Sequence, residues 1–202
     1  MAVVELGRRE RKKLAVRESI CEETLSLVSR HGIEGTTIDA ICDCADIAKK
    51  TFYNYYSSKH ELLIDICQSR LLARLENTVT EALASGRDLG AQLDFIFTEL
   101  AERNRNAGLL ERELVDYMVG NLSVNPSQGA GQLTLMNDCY QRLFEIQRQQ
   151  LQPHLTPAFC AEMTVGMSNA ITLNWLHRED YDAETRFRQL ADYLKKSMIR
   201  AN

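Results

Sequence analysis

The chain should fold as an all-α protein of about nine helices. Proline occurs only three times in 202 residues, at Pro126, Pro153 and Pro157. Apolar residues recur at three- and four-residue spacing, and no run alternates with the period of two that a half-buried strand requires. Cap and stop signals divide the sequence at intervals that suit helices.

The elements follow in order. A first helix fits residues 9–31, with Leu14, Ile20, Leu25 and Val28 inward and His31-Gly32 as its stop. A second fits 37–44, capped by Thr36, with Asp39 three residues on and a stripe of Ile38, Ile41, Cys42 and Ala45. A third fits 48–55. Ser58 opens a long fourth helix, Glu61 completes its Ser-x-x-Glu box, and Ser85-Gly86 closes it. Asp88 caps a fifth helix to about Arg105, and a sixth covers about 109–119. NLSVNPSQGAG, residues 121–131, reads as a loop from its Asn, Pro, Ser and Gly content. Helices at about 132–151 and 157–177 are split by Pro153, and Thr156-Pro157 opens the second of them. A last helix fits 183–200.

Composition excludes several classes. The chain is 45% hydrophobic and 26% charged, which is ordinary for a water-soluble protein. No apolar run approaches the ~18 residues of a membrane span, and MAVVELGRRERKK lacks the apolar core of a signal peptide, so a cytoplasmic protein is expected. The six cysteines form no CxxC pair and no zinc-finger spacing with histidine; buried thiols are expected, with redox sensing by Cys42 and Cys44 as the alternative. On one helix those two side chains point about 200° apart and should not pair. HExxH, GxSxG, P-loop and GxGxxG patterns are absent, so neither enzyme activity nor a metal or other cofactor is expected.

Net charge is −4, yet its distribution is uneven. Residues 8–17 carry six basic side chains against Glu10 alone, whereas residues 61–202 hold 14 basic and 19 acidic ones. A basic end and an acidic body suit a protein that offers one end to phosphate. The boundary is placed at residue 60: a small head, 1–60, and a larger helical body, 61–202.

The head carries the chemistry. On a helical wheel, Ala48, Phe52, Tyr55 and Tyr56 fall on one side of the third helix. Lys49, Lys50, Tyr53 and Asn54 fall on the other, with Thr51 flanking. Phe52 should pack with Ile41 and Leu62. Lysine suits phosphate or the guanine edge, an amide reads adenine, and a phenol donates to phosphate. A short polar helix after a helix and a tight turn is the arrangement of a helix-turn-helix.

GIEGTTIDAICDCADIAKKTFYNYYSSKHELL, residues 32–63, resembles the DNA-binding region of tetracycline-repressor (TetR) family regulators. The resemblance implies an all-α homodimer joined through its last two helices, binding a palindromic operator and usually repressing. It also implies a small-molecule pocket in the body. It assigns Thr37 to phosphate, Lys49, Lys50 and Thr51 to bases, and Tyr53, Tyr55 and Lys59 to the backbone. The chain departs from the family at Asp46, in place of the usual turn glycine, and at Ala48, in place of a Ser or Thr cap. Asp39 and Asp43 add acid to the second helix and should point away from DNA or pair with a cation. In the body, Phe95, Tyr117, Met118, Tyr140, Phe144, Met167 and Trp175 either fill the core or line a cavity for a small, largely apolar ligand. Phe159, Val165, Leu190, Leu194 and Met198 are the interface candidates.

Overall fold

The computed structural model describes residues 7–124 and 126–200, with side chains for 7–120 and 131–200. Among the described residues all regular structure is helical apart from a single bridge between Leu151 and Ile199. The chain divides into two compact units. The first runs through Ile66 and takes in Leu109–Leu114, so the division falls six residues beyond the expected residue 60.

The first unit holds α1 (Arg8–Gly35), α2 (Ile38–Cys44), α3 (Lys49–Tyr53) and α4 (Lys59–Cys67), the last residue of α4 excepted. The basic segment of residues 8–17 is therefore the first turns of α1. Gly32 breaks α1 with φ 69° and ψ 173°, a conformation essentially confined to glycine. A Cβ there would also stand 3.4 Å from the Glu113 carboxylate, which accepts from Ile33 N at 2.9 Å. Ile20, Val28, Ile41, Phe52 and Leu62 are fully buried, as their stripes predict, but Leu14 is 42% exposed.

The second unit holds α5 (Ala73–Ala84), α6 (Leu89–Asn106), α8 (Pro126–Ile146), α9 (Pro157–His177), α10 (Ala183–Met198) and α7 (Leu109–Val124) from Val115 onward. α10 packs chiefly on α6, and α8 on α9. Its core gathers Leu93, Ile96, Phe97, Tyr140, Phe144 and Leu194, and Phe97 stacks on Phe187 with ring centroids 6.1 Å apart. The expected caps at Asp88 and Thr156 are in place, accepting from Ala91 N at 2.8 Å and Phe159 N at 3.2 Å. Between α4 and α5 the backbone stays helical through a π turn, Gln68–Leu72, so the fourth helix is continuous as expected but widened.

Two expectations are corrected. The 121–131 loop is helical backbone through Val124 and again from Pro126. Proline at a first helical position loses no hydrogen bond, so it opens α8 where composition suggested a break. Among the interface candidates, Val165, Leu190, Leu194 and Met198 are at most 6% exposed and belong to the core of their own chain; Phe159 alone is exposed, at 46%. α9 is apolar around most of its circumference, so periodicity could not tell its inner face from its outer one. Exposed or half-exposed Phe159, Met163, Gly166, Ala170 and Leu173 instead form a stripe along its outer side.

Candidate nucleic-acid interface

α2 begins at a threonine cap, but the cap is Thr37 rather than Thr36. The Thr37 hydroxyl accepts from Ala40 N at 3.1 Å, while the Thr36 hydroxyl donates to Gly32 O at 2.8 Å. α2 ends in a Schellman-type turn: Ile47 N reaches back to Cys42 O at 3.0 Å, and Asp46 adopts φ 51°. Aspartate thus holds the left-handed position in place of glycine. Ala48 then starts α3 with no side-chain cap, leaving the first N–H groups of α3 open at its N-terminus.

α3 divides as the wheel predicts except at Ala48, which falls on the inner side of the wheel but is exposed at the start of the helix. Phe52 is fully buried, and Tyr56, just beyond, is 3% exposed. Lys49, Lys50, Tyr53 and Asn54 are exposed; Thr51 and Tyr55 are half-buried. The outer face therefore presents two ammonium groups, a phenol and an amide together. Five residues make a short helix, held by the Phe52 anchor and by Tyr53 and Tyr56 around it, with centroids 5.6 and 6.1 Å from the Phe52 ring.

Two lysines are already engaged. Lys49 Nζ lies 2.6 Å from Asp39 on α2, which raises the lysine's pKa, chiefly through that hydrogen bond. This is the pairing with a cation that the acidic second helix required. Lys59 Nζ donates to Ile33 O at 2.9 Å and Thr36 O at 2.8 Å. It ties the start of α4 to the turn that carries Thr37, and one of its three N–H groups remains for phosphate.

A network not legible in the sequence braces the head from behind. The Tyr56 hydroxyl donates to Asp65 at 2.6 Å and accepts from Arg17 Nε at 3.0 Å; Arg17 Nη2 also reaches Asp65 at 2.6 Å. Burial pushes the Tyr56 phenol well up, and the Asp65 hydrogen bond adds to the shift. α1, the segment just after α3 and α4 are thereby joined through one carboxylate. The fourth helix opens with Glu61 N on the Ser58 hydroxyl at 3.1 Å, while the Glu61 carboxylate closes back on Ser57 rather than Ser58.

The ion pair of Lys49 with Asp39 makes a direct prediction. Asp39→Asn removes a carboxylate from the exposed face and frees Lys49. Affinity for duplex DNA should rise, and the plot of log affinity against log salt should steepen by about one unit. Fluorescence anisotropy on one DNA at several salt concentrations measures it; an unchanged slope would show that freeing Lys49 adds no ionic contact with DNA.

The head geometry agrees with comparisons to known proteins. Residues 20–66 match the family described as bacterial regulatory proteins, tetR family. The head is similar to the TetR-family domain. Two curated relatives are the HTH-type transcriptional repressor KstR of Mycobacterium tuberculosis, 29% identical over 127 residues, and the HTH-type transcriptional regulator TcmR of Streptomyces glaucescens, 32% identical over 73. These matches cover 61% and 35% of this chain, and span about half and a third of the relatives' own lengths, 55% and 32%. The fold is shared more widely. The TetR-family repressor FadR of Thermus thermophilus, solved with lauroyl-CoA, has TM-score 0.75 at 24% identity over 92% of this chain and 96% of its own. SmeT, repressor of a Stenotrophomonas maltophilia multidrug efflux pump, has TM-score 0.73 at 17% identity, covering 92% and 91%.

The expected pocket residues scatter over the body. Tyr140 and Phe144 are buried in its core, and Phe95 and Met167 pack against that core. Tyr117 and Met118 are half-buried on α7. Trp175 lines a cavity of about 180 Å³ with Asn104, Tyr181 and Glu184. Among the described residues no group of three metal-binding side chains converges, and no helix is long and apolar enough to cross a membrane.

Proposed function

We propose that this protein is a cytoplasmic, sequence-specific DNA-binding transcriptional regulator. In this reading it is a homodimeric repressor, released from a palindromic operator by a small, largely apolar ligand. The observation that carries it is the exposed face of Lys49, Lys50, Tyr53 and Asn54 on a helix anchored by buried Phe52, within a domain similar to that of the TetR family. Lys49, Lys50, Thr51 and Asn54 read base edges. Thr37, Tyr53, Tyr55 and the remaining N–H of Lys59 hold the backbone. Two heads on a two-fold dimer would enter successive major grooves roughly 34–36 Å apart. The apolar stripe of α9 supports the dimer, and the ligand bound to a relative of this fold supports an effector. The same head with a body that recruits a protein instead of a small molecule is the second reading.

Selection of bound fragments from the source genome tests the DNA half of the proposal and should return a palindrome. Lys49→Ala should then weaken operator binding more than binding to random DNA. Equal loss on both would remove Lys49 from base reading. A screen for DNA release by small molecules tests the effector half. Operator binding that no compound in a broad library relieves would favour the second reading.

A further inference from the structure

The body contains a charge and two amides that the protein itself leaves unanswered. Among the described residues Arg103, half-buried on α6, bonds a neutral partner, the Thr78 hydroxyl of α5. Thr78 is in turn committed to Arg74 O at 2.9 Å. Among the described residues no carboxylate lies within ion-pair distance of Arg103, although its neighbour Arg105 meets Glu184 at 3.3 Å. The Arg103 charge is felt at the fully buried Tyr140 of α8, whose phenol burial pushes up while Ser168 of α9 and Arg103 act the other way.

The same face of α8 carries the amides. At ~100° per residue, Gln132, Met136, Tyr140, Leu133 and Asn137 fall within about 140° of one another. Gln132 is fully buried, and among the described residues neither its Nε2 nor its Oε1 has a partner, nor has the buried Asn137 Oδ1. A half-buried cation with no counter-ion and a buried amide with no partner among the described residues both cost stability, and each is explained when a ligand supplies what is missing. Gln132 stands two turns from Tyr140, about 12 Å along the helix.

We infer that the effector is an elongated apolar molecule with an anionic oxygen group at one end. Arg103 binds that anion, and the Gln132 and Asn137 amides bind a second polar group farther along. This rests on the effector reading above and adds the chemistry of the ligand. Both a free carboxylate and a coenzyme A thioester carry anionic oxygens on an apolar chain.

Four probes separate the cases on the full-length protein: decanoate, decanoyl-coenzyme A, methyl decanoate and decylamine. Binding is read by calorimetry and by release of DNA. One or both anionic probes should bind, the ester and the amine should not, and the species that binds names the source of the anion. Arg103→Gln should weaken that binding roughly 10–100-fold, the loss of one charged hydrogen-bonding group. Arg103→Lys keeps the charge where the glutamine variant does not fold, and should retain part of the affinity. Gln132→Met should leave thermal stability equal or higher and still weaken binding several-fold. Ester or amine binding as tight as the acid's, or acid binding indifferent to Arg103, would overturn the anion while leaving an effector in the body. Failure of all four probes would overturn the inference, and the broader release screen then decides separately whether any effector exists.

Discussion

Phe52→Ala should unfold the head and abolish specific DNA binding. Phe52 is fully buried at the centre of the first unit, and large-to-small changes at such sites cost about 3–5 kcal/mol. α3 has only five residues, far below the ~12–15 at which an isolated helix becomes even marginally stable. Its position therefore depends on this anchor more than on its own hydrogen bonds. Chemical denaturation should show the loss in the transition of the first unit, with the second unit's transition little changed. Tyr53→Ala makes the contrast: Tyr53 is 52% exposed, so its loss should weaken DNA binding with little effect on stability. A stable Phe52→Ala protein that still binds its operator would show that α3 is held by other means.

The head was legible because its signals agree. Ser58 and Glu61 mark the start of α4, Gly32 ends the regular part of α1, and the wheel of α3 separates Phe52 from Lys49 and Lys50 without ambiguity. What sequence missed there are contacts between residues distant in the chain. The pairing of Lys49 with Asp39 joins two helices across a turn, and Lys59 fastens carbonyls more than twenty residues earlier. Neither leaves a periodic trace. Asp65 belongs to no sequence motif, yet it organises Tyr56 and Arg17. In the body the misreadings have another cause. The Asn, Pro, Ser and Gly of residues 121–131 bias local conformation by up to about 1 kcal/mol each, Pro more, and yet α7 runs through Val124 and α8 starts at Pro126. The buried Gln132 resembles any helix glutamine until its burial is known.

The same ambiguity on α9 sets up the decisive test of the dimer. Gly166 lies midway along the exposed stripe of Phe159, Met163, Ala170 and Leu173, and a Cβ added there meets nothing within 4 Å in its own chain. Gly166→Arg should therefore fold. Replacing a helix-interior glycine should even stabilise α9, by up to about 1 kcal/mol. In a two-fold dimer built on this stripe, the substitution places two long side chains where small residues allow the helices to approach. Sedimentation should then show monomer where the wild type is dimeric. Each monomer carries one reading head, so the second half-site no longer adds to the first. Operator affinity should fall by about 10²–10⁴-fold, the range gained by linking two binding modules. Binding to a single half-site should stay near that of wild type, since the head is untouched. A Gly166→Arg protein that remains dimeric and keeps its operator affinity would move the interface off this face of α9.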